Sequence, residues 1–377
     1  MEEQRLTMEQ EVEFAFHTGG GKNAGHTAAV EIDGKLKGMA LHVTPTAIAS
    51  SIPVGLAAGM VVDPVSFLQE MDYVEQFGFE NPLARTFVDW RCACPLVHHQ
   101  IMDAACEVIR AKIAGQKQIG TTASGMGPIH ANLASRVAPR MYHTVDETTF
   151  RNRLEGDLAF KKLVLQACLT KDEWSKLLEE LTEKHTERSK ELIELGVASE
   201  ADFDFNRFAS SNGSIGFSND EILAYARPAL KRLHEANAIT DVSEMIWDHI
   251  RAGHVLIGAT SQGTRIDNVF GDGDYSTAGR TLAGSASSGA GFGPTHIRSV
   301  RVVLKAVPSR VGNGPFLTQI EGAVAEDLQG DGSKIDDERG ATTGRPRDVG
   351  ILDAVVARYS CLVNGATNVT LTKLDKV

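Results

Sequence analysis

The chain has 377 residues, 42% of them hydrophobic, and a formal net charge of −11 at pH 7. A chain of this length can bury a large core, so the composition predicts a globular protein of one or two domains. The acidic balance argues against a nucleic-acid-binding surface, and any anionic ligand must be held by local cations.

The sequence contains no apolar run of about eighteen residues, the length that a membrane-spanning helix needs. Its first residues, Met1 to Gln10, are acidic and polar, which does not fit a signal peptide. The five cysteines form an odd, scattered set, which is typical of thiols in a reducing compartment. We therefore expect a cytoplasmic protein with neither a membrane nor a nucleic acid as partner.

The chain opens with a β-rich segment. Branched and aromatic residues predict strands at Glu11–Phe16 and Thr27–Ile32. The Asp33-Gly34 dipeptide is a hairpin signal that leads into a third predicted strand near Met39–Val43.

Helical spacing of apolar residues dominates the middle of the chain. It predicts helices at Pro64–Gly78, which has Pro at its start and Gly at its end, and at Val97–Ile113. Between residues 147 and 252 the sequence is charged and helical, with further helices predicted at Trp174–Leu195 and Asn219–Ala236.

The last third returns to alternating strands and helices. Buried strands are predicted at Val255–Gly258 and Val300–Val307, a helix at Ile351–Val363 and a final strand at Asn368–Thr372. This alternation predicts an α/β fold with a largely parallel central sheet, surrounding helices and an inserted helical subdomain. The expected division is a first part of the α/β core at 1–146, the helical subdomain at 147–252 and the second part of the core at 253–377.

A first glycine-rich loop, residues 17–27, lies between two predicted strands. Its glycines permit close approach of a ligand, Asn23 can donate an amide hydrogen bond and His26 can transfer a proton near neutral pH. Gly19–Lys22 is not a phosphate loop, because Asn23 stands where Ser or Thr should follow the lysine. A plain glycine-rich turn remains an alternative.

A second loop, Ile119–Pro128, combines hydroxyls with glycines in the manner of anion sites, so it could hold a monophosphate. Arg136 and Arg140 follow four residues apart, the spacing of one helical face. They fit either a phosphate clamp or a solvated surface.

A third cluster, Gly340–Arg347, contains two arginines beside two threonines. Guanidinium groups bind carboxylates in a bidentate manner, so a small dicarboxylate is the expected ligand. Thr372-Lys373-Leu374-Asp375 follows the last predicted strand and is similar to the guanine-reading element of GTP-binding proteins. Its place at a strand end favours a ligand-binding role.

Cys92, Cys94, His98 and His99 superficially resemble a zinc cluster. No second ligand pair follows at a zinc-like spacing, so buried thiols beside a helix start are the better interpretation. We assign this cluster no function.

Seven sequence blocks, taken in order, resemble the adenylosuccinate synthetase family, and the stretches Trp90–Cys92 and Ala357–Ser360 are most similar to its archaeal branch. The blocks are Asn23–Thr27, Ile119–Pro128, Gln262–Thr264, Gly291–Pro294, Arg310–Phe316, Gly340–Arg347 and Leu371–Asp375. The resemblance implies a ligase that joins L-aspartate to IMP with hydrolysis of GTP, through a 6-phosphoryl intermediate and with Mg²⁺.

The resemblance also implies a role for each matching residue. His26 and Gln262 would be catalytic, the Gly25 carbonyl would contact the magnesium ion, and Lys373 and Asp375 would bind the GTP base. The residues that would bind the nucleoside monophosphate are Asn23, Thr122, Gln262, Thr277 and, from a neighbouring subunit, Arg136, and those for aspartate are Thr342, Thr343, Arg345 and Arg347. Because Arg136 would contact the ligand of a neighbouring subunit, the resemblance implies a homodimer.

The sequence also departs from the family pattern. The family opens with a strand and a glycine-rich phosphate loop that carries the catalytic Asp base, and nothing before Glu11 matches this loop. The chain stops shortly after Asp375, where the family continues. On this ground we expect an incomplete synthetase that is silent in a coupled assay.

Two other functions remain open. Ala259-Thr260 and Gly271–Ser276 differ from the family near the purine, which fits a viral-type ligase that adds aspartate to dGMP. A non-catalytic nucleotide-binding relative is the third interpretation.

Overall fold

The computed structural model of the chain describes residues 11–115, 120–211, 213–311, 314–332, 334, 337–340 and 346–376. The described strands, in chain order, are β1 Val12–His17, β2 His26–Ile32, β3 Lys35–Leu41, β4 Val54–Leu56, β5 Thr86–Asp89, β6 Ile239–Thr240, β7 Val255–Ala259, β8 Arg301–Lys305, β9 Ser309–Arg310, β10 Asp348–Val349 and β11 Asn368–Thr372.

A five-stranded parallel sheet forms the centre of the molecule, with the strand order β6-β5-β4-β1-β7. Ala15 in β1 is the Cα partner of Val54 on one side and of Ile257 on the other. The side chains of Phe14 and Ala15 are fully buried, as expected for a strand covered on both faces. The predicted α/β class with a largely parallel sheet is confirmed.

β2 and β3 form the predicted antiparallel hairpin. Asp33 and Gly34 take φ angles of 51° and 72°, the left-handed conformations that a two-residue hairpin turn requires. β3 begins at Lys35, earlier than the predicted Met39. Its first residues are exposed and include two lysines, so they carry no apolar signal for a strand.

The described helices, in chain order, are α1 Pro64–Glu75, α2 Val97–Ala114, α3 Met126–Ala134, α4 Glu147–Cys168, α5 Lys171–Arg188, α6 Lys190–Glu194, α7 Asn219–Glu235, α8 Val242–Ala252, α9 Gly284–Ala290, α10 Ala323–Gln329 and α11 Ala354–Asn364. α1 starts as predicted, because the Asp63 carboxylate accepts hydrogen bonds from the N–H groups of Val65 and Ser66. No described helix is long and apolar enough to span a membrane.

The single helix predicted at Trp174–Leu195 is wrong, because α5 and α6 are separate. Ser189 leaves helical geometry at φ −103° and ψ 12°, and its N–H bonds to the carbonyls of His185 and Thr186. Serine competes for backbone hydrogen bonds, so it interrupts a helix readily.

The helical region 147–252 shares its core with the remainder of the chain. Leu154 of α4 and Leu178 of α5 belong to the same buried cluster as Ile101 of α2 and Val88 of β5. The three-part division of the chain stays a prediction.

The C-terminal part contains two small sheets, a parallel pair of β8 and β11 and an antiparallel pair of β9 and β10. β8 ends at Lys305, before the predicted Val307, because Pro308 follows and cannot donate to a sheet. α11 begins after the predicted Ile351, where the Asp353 carboxylate caps it by accepting from the N–H groups of Val355 and Val356.

Candidate active site

The loops after β1 and β7 lie together at the carboxyl edge of the central sheet. The Thr18 N–H donates to the carbonyl of Ala259, the last residue of β7, at 3.0 Å. Gly20 takes a φ of 98°, and a Cβ there would come within 2.8 Å of the Ser261 side chain. A side chain at position 20 would therefore separate the two loops. This edge is where open parallel sheets bind ligands.

Two of the residues predicted to bind the monophosphate contact each other across this edge. The Asn23 Nδ2 donates a hydrogen bond to the Thr277 Oγ1 at 3.2 Å. The Asn23 Oδ1 is buried and has no hydrogen-bond partner among the residues that the structure describes. A buried acceptor without a donor is costly, so this oxygen marks a position where a ligand group can bind.

His26 follows Asn23 by three residues, at the start of β2, and its ring contacts the backbone. Its Nε2 is 2.7 Å from the Thr44 carbonyl, and the Nδ1 of His17 is 2.9 Å from the Val43 carbonyl. The two rings meet edge to face with centroids 5.2 Å apart. Because a carbonyl only accepts, the neutral His26 ring carries its proton on Nε2.

Glu70 of α1 holds the segment that these histidines contact. Its buried carboxylate accepts from the N–H groups of His42, Val43 and Thr44, at 2.6 Å for His42 and 2.8 Å for Thr44. Burial alone would raise the pKa of Glu70, but the hydrogen bonds and charge of His42 and the bond from Thr44 outweigh it and lower the pKa to about 2. The carboxylate is therefore ionised and fixes the backbone segment that His26 contacts.

Backbone strain is concentrated among the predicted site residues. The described chain has eight non-glycine residues with positive φ, and three of them are Arg136 at 65°, Gln262 at 76° and Lys373 at 61°. A fourth, Ala123 at 55°, adjoins Thr122. Such conformations cost about 1–3 kcal/mol each and occur preferentially at ligand sites. Gln262 lies directly beyond the carboxyl end of β7, beside the loop that carries Asn23.

In the described part of the second loop, residues 120–128, the hydroxyls of Thr122 and Ser124 lie 2.9 Å apart. Asp103 of α2 supports the loop by accepting from the Thr121 hydroxyl and from the Gly125 N–H. The loop is thus built around two adjacent hydroxyls.

Arg136 does not share a helical face with Arg140, because α3 ends at Ala134. The Arg140 Nη1 donates to the Arg91 carbonyl at 2.6 Å, which is a structural contact. Arg136 is exposed on the outside of the molecule.

The third cluster is only partly described. Thr342, Thr343 and Arg345 lie outside the described residues, as do Met1–Gln10 and Ile119. Arg347 is described, and its Nη1 donates to the Glu338 Oε2 at 3.3 Å. Arg347 therefore lies at the base of the predicted aspartate loop.

Glu338 pairs with three cationic side chains of the described chain, and it was not among the site residues predicted from the sequence. Its carboxylate is 2.7 Å from the Nζ of Lys305, at the end of β8, and 3.2 Å from the Nζ of Lys373, after β11, besides contacting Arg347. Burial alone would raise the pKa of Glu338, but the charges of Lys305 and Lys373 and hydrogen bonds from Lys305 and Ser309 lower it to about 2. Arg347, predicted to bind aspartate, and Lys373, predicted to bind guanine, thus share one carboxylate. Asp375 is exposed. In the sequence, Glu338 sits in a charged loop and resembles an ordinary solvated residue.

The cysteine and histidine cluster is structural. Burial raises the pKa of the Cys92 and Cys94 thiols, so both stay protonated. His98 and His99 turn instead to Asp157 of α4, with the His98 Nε2 2.9 Å from its carboxylate. This carboxylate also accepts from Asn132 and pairs with Lys161, a fully buried network that ties α2, α3 and α4 together.

Comparison with known proteins gives a consistent result. The family model for adenylosuccinate synthetase matches residues 7–202 and 190–377. The adenylosuccinate synthetase of Parafrankia sp. is 31% identical over 366 residues, which are 97% of this chain and 72% of that protein. The one from Brevibacillus brevis is 32% identical over 361 residues, which are 94% of this chain and 70% of that protein.

A solved structure from the same family also matches this chain. The fully ligated adenylosuccinate synthetase of Plasmodium falciparum superposes with a TM-score of 0.73 at 26% identity, covering 99% of this chain and 74% of that one. The succinoaminodeoxyadenylate synthetase of cyanophage S-2L shares the fold, with a TM-score of 0.52 at 18% identity. The match covers 97% of this chain and 78% of that one. Since the family model matches along nearly the whole chain and the relatives are covered over most of their own length, this chain belongs to the adenylosuccinate synthetase family.

Proposed function

We propose that the chain is a purine nucleotide ligase that joins L-aspartate to the 6-position of IMP, with hydrolysis of GTP through a 6-phosphoryl intermediate. The observation that carries this proposal is the contact of Asn23 with Thr277 at the carboxyl edge of the sheet, in the loop that leads to His26. Family membership supplies the reaction class, a ligase that forms a C–N bond.

Asn23, Thr122, Gln262 and Thr277 bind the nucleoside monophosphate in this proposal. The orphaned Asn23 Oδ1 and the paired hydroxyls of Thr122 and Ser124 are suitable polar partners for a nucleotide. The exposed Arg136 reaches the ligand of a neighbouring subunit, so we also propose a homodimer.

Arg347, with Thr342, Thr343 and Arg345 from outside the described residues, binds L-aspartate. Lys373 and Asp375 bind GTP, with the lysine stem over the guanine ring and the Asp375 carboxylate accepting from the guanine N–H groups. One residue of each set contacts the same buried anion, because Arg347 and Lys373 both pair with Glu338.

Magnesium fits the donor chemistry of the first loop. Mg²⁺ prefers oxygen ligands, and the loop presents an exposed Gly25, whose carbonyl would contact the ion, close to the orphaned Asn23 Oδ1. When bound with GTP, the ion neutralises charge on the phosphoryl oxygens.

His26 and Gln262 carry the chemistry that this chain contributes. We propose that the His26 ring exchanges the Thr44 carbonyl for an oxygen of the transferred phosphoryl group, donating its Nε2 proton in a hydrogen bond. Gln262, held in a strained conformation, orients the purine with its amide. The 6-oxygen takes the γ-phosphoryl group of GTP, with release of GDP and of the purine N1 proton. The aspartate amine then forms the C6–N bond as the C6–O bond breaks, and inorganic phosphate and one amine proton leave. Positioning and charge neutralisation account for most of such catalysis.

Incubation of the chain with GTP, IMP, L-aspartate and Mg²⁺, with chromatographic detection of adenylosuccinate and GDP, tests the function. In a full-length clone, we expect His26→Ala to bind IMP normally and to lose turnover by about 10²–10⁴-fold. Product from dGMP in place of IMP would support the viral-type reaction. IMP binding without any turnover fits both the silent synthetase expected from the sequence and a non-catalytic relative, and turnover by a full-length clone separates these two.

A further inference from the structure

A cavity of about 110 Å³ lies between the second loop and the helical region. It has room for several water-sized groups. The hydroxyls of Thr122, Ser124 and Ser66 line it, together with two cations, Lys22 and Arg188. Apolar side chains, among them Val43, Leu192 and Phe203, line the remainder. The cations and hydroxyls therefore form one polar wall of the cavity, which suits a small anion.

Lys22 enters the cavity from the first loop, next to Asn23. Its Nζ donates to the Ser66 Oγ at 2.7 Å. Removal from water lowers the pKa of Lys22; Asp63 and Glu70 oppose this effect, and the nearby charge of Arg188 adds to it. Lys22 and Arg188 carry like charges at one poorly solvated cavity, so both would attract an anion placed there.

Arg188 is the last residue of α5, and its Nη1 donates to the Thr122 carbonyl at 2.7 Å. One turn earlier, the Lys184 Nζ donates to the Thr121 carbonyl at 3.2 Å. Burial, followed by the charges of Lys22, Arg188 and Lys184, lowers the pKa of the neighbouring His185 well below its usual value. Positive charge is therefore concentrated at the hydroxyl-bearing loop.

The carboxylates that line the same cavity are engaged elsewhere. Glu70 accepts from the backbone of residues 42–44, and Glu191 accepts from the Tyr73 hydroxyl at 3.0 Å. Their hydrogen bonds hold them to α1 and to the hairpin, so the cations and the hydroxyls of the second loop face the cavity together.

We propose that Lys22 and Arg188, with the hydroxyls of Thr122 and Ser124, bind a phosphate group, so that the helical region supplies one wall of an anion site. The phosphate comes either from the purine monophosphate or from free inorganic phosphate. The nucleotide source rests on the function proposed above, whereas the free-phosphate source does not.

Isothermal titration of the full chain with IMP, with inosine and with inorganic phosphate tests this site. Lys22→Met and Arg188→Met remove the charge and keep most of the side-chain bulk. Each should weaken binding of a phosphate-bearing ligand by about 10- to 100-fold, the effect of losing one charge-assisted hydrogen bond, and leave inosine binding unchanged. Lys190→Met, which removes a surface partner of Glu187, is the matched control and should change neither.

The competition pattern identifies the source. If inorganic phosphate competes with IMP and the variants bind both ligands more weakly, the site binds the phosphate group of the nucleotide. If inorganic phosphate binds at the same time as IMP and the variants lose affinity only for phosphate, the site binds free phosphate. Arg188→Lys should recover part of the lost affinity, which separates loss of charge from misfolding.

Two results would overturn the site. One is a wild-type chain that binds neither phosphate nor IMP. The other is wild-type affinity for both in correctly folded Lys22→Met and Arg188→Met. If the wild-type chain binds phosphate in an Arg188-dependent way and does not bind IMP, the proposed function fails and the anion site stands.

Discussion

The side chains of Asn23 and Thr277 are joined by a hydrogen bond of 3.2 Å although 254 residues separate them in the chain. The first loop and the segment after β7 therefore form one surface, and each contributes a polar group to it. This contact defines the monophosphate end of the proposed site.

Asn23→Ala should weaken IMP binding by about 10-fold, because it removes both the orphaned oxygen and the donor to Thr277. Titration calorimetry measures the effect. Thr27→Ala, in the neighbouring strand β2, serves as the comparison and should bind IMP as the wild type does. Equal affinity in Asn23→Ala would exclude Asn23 from the site.

In a complete enzyme, replacing Arg345 or Arg347 by Ala should raise the KM for L-aspartate by about 10- to 100-fold, because a hydrogen bond to a charged group contributes roughly 1.5–3 kcal/mol. Steady-state assays at saturating IMP and GTP give the value. An aspartate KM that stays unchanged in both variants would refute the assignment.

Glu338→Gln should raise the KM values for aspartate and GTP together and leave that for IMP unchanged. The neutral amide no longer balances Arg347 and Lys373, which the carboxylate contacts at 3.3 and 3.2 Å. Glu326→Gln, in the nearby helix α10, is the control. A change confined to one substrate would mean that the two subsites are independent.

Asp375→Asn should shift the triphosphate preference from GTP to xanthosine triphosphate. The amide offers a donor where the carboxylate accepts, and xanthine offers an acceptor where guanine carries its amine. Competition between the two triphosphates measures the preference. Retention of the guanine preference would show that the Thr372–Asp375 motif is fortuitous.

Glu70 should make stability depend on pH. Its pKa falls from 4.5 to about 2 on folding, so its stabilisation is complete above pH 4.5 and is lost as the pH falls towards 2. The size is about 3 kcal/mol at neutral pH. Urea unfolding of wild type and Glu70→Gln at several pH values should give curves that differ near neutrality and converge in acid. Parallel pH profiles would contradict this account.

Local sequence signals were sufficient to predict much of the fold. Pro64 marked the start of α1, the Asp33-Gly34 turn marked the hairpin, and the branched run of β11 predicted its observed ends. The short strands β5 and β6 were not predicted, because Thr86–Asp89 and Ile239–Thr240 are too short for a period to emerge and depend on pairing with distant neighbours.

The site was predictable where loops follow strands. Asn23, Gln262 and Lys373 all lie just after strands, so their types and positions indicated ligand contact. Glu338 and Arg188 could not be found this way, because their importance comes from partners distant in sequence. Neither residue stands in a motif that sequence alone separates from ordinary surface charge.

The strand order of the central sheet has a consequence for how the protein is made. β1 ends at His17 and lies between β4 and β7, and β7 begins only at Val255. At roughly 5–20 residues per second, a ribosome needs on the order of ten seconds or more to deliver that second neighbour. Throughout this interval the nascent chain carries an unpaired strand edge, with Phe14 and Phe16 not yet covered by the residues that bury them in the finished fold. Productive synthesis should therefore depend on factors that shield the emerging amino-terminal segment until translation has passed β7.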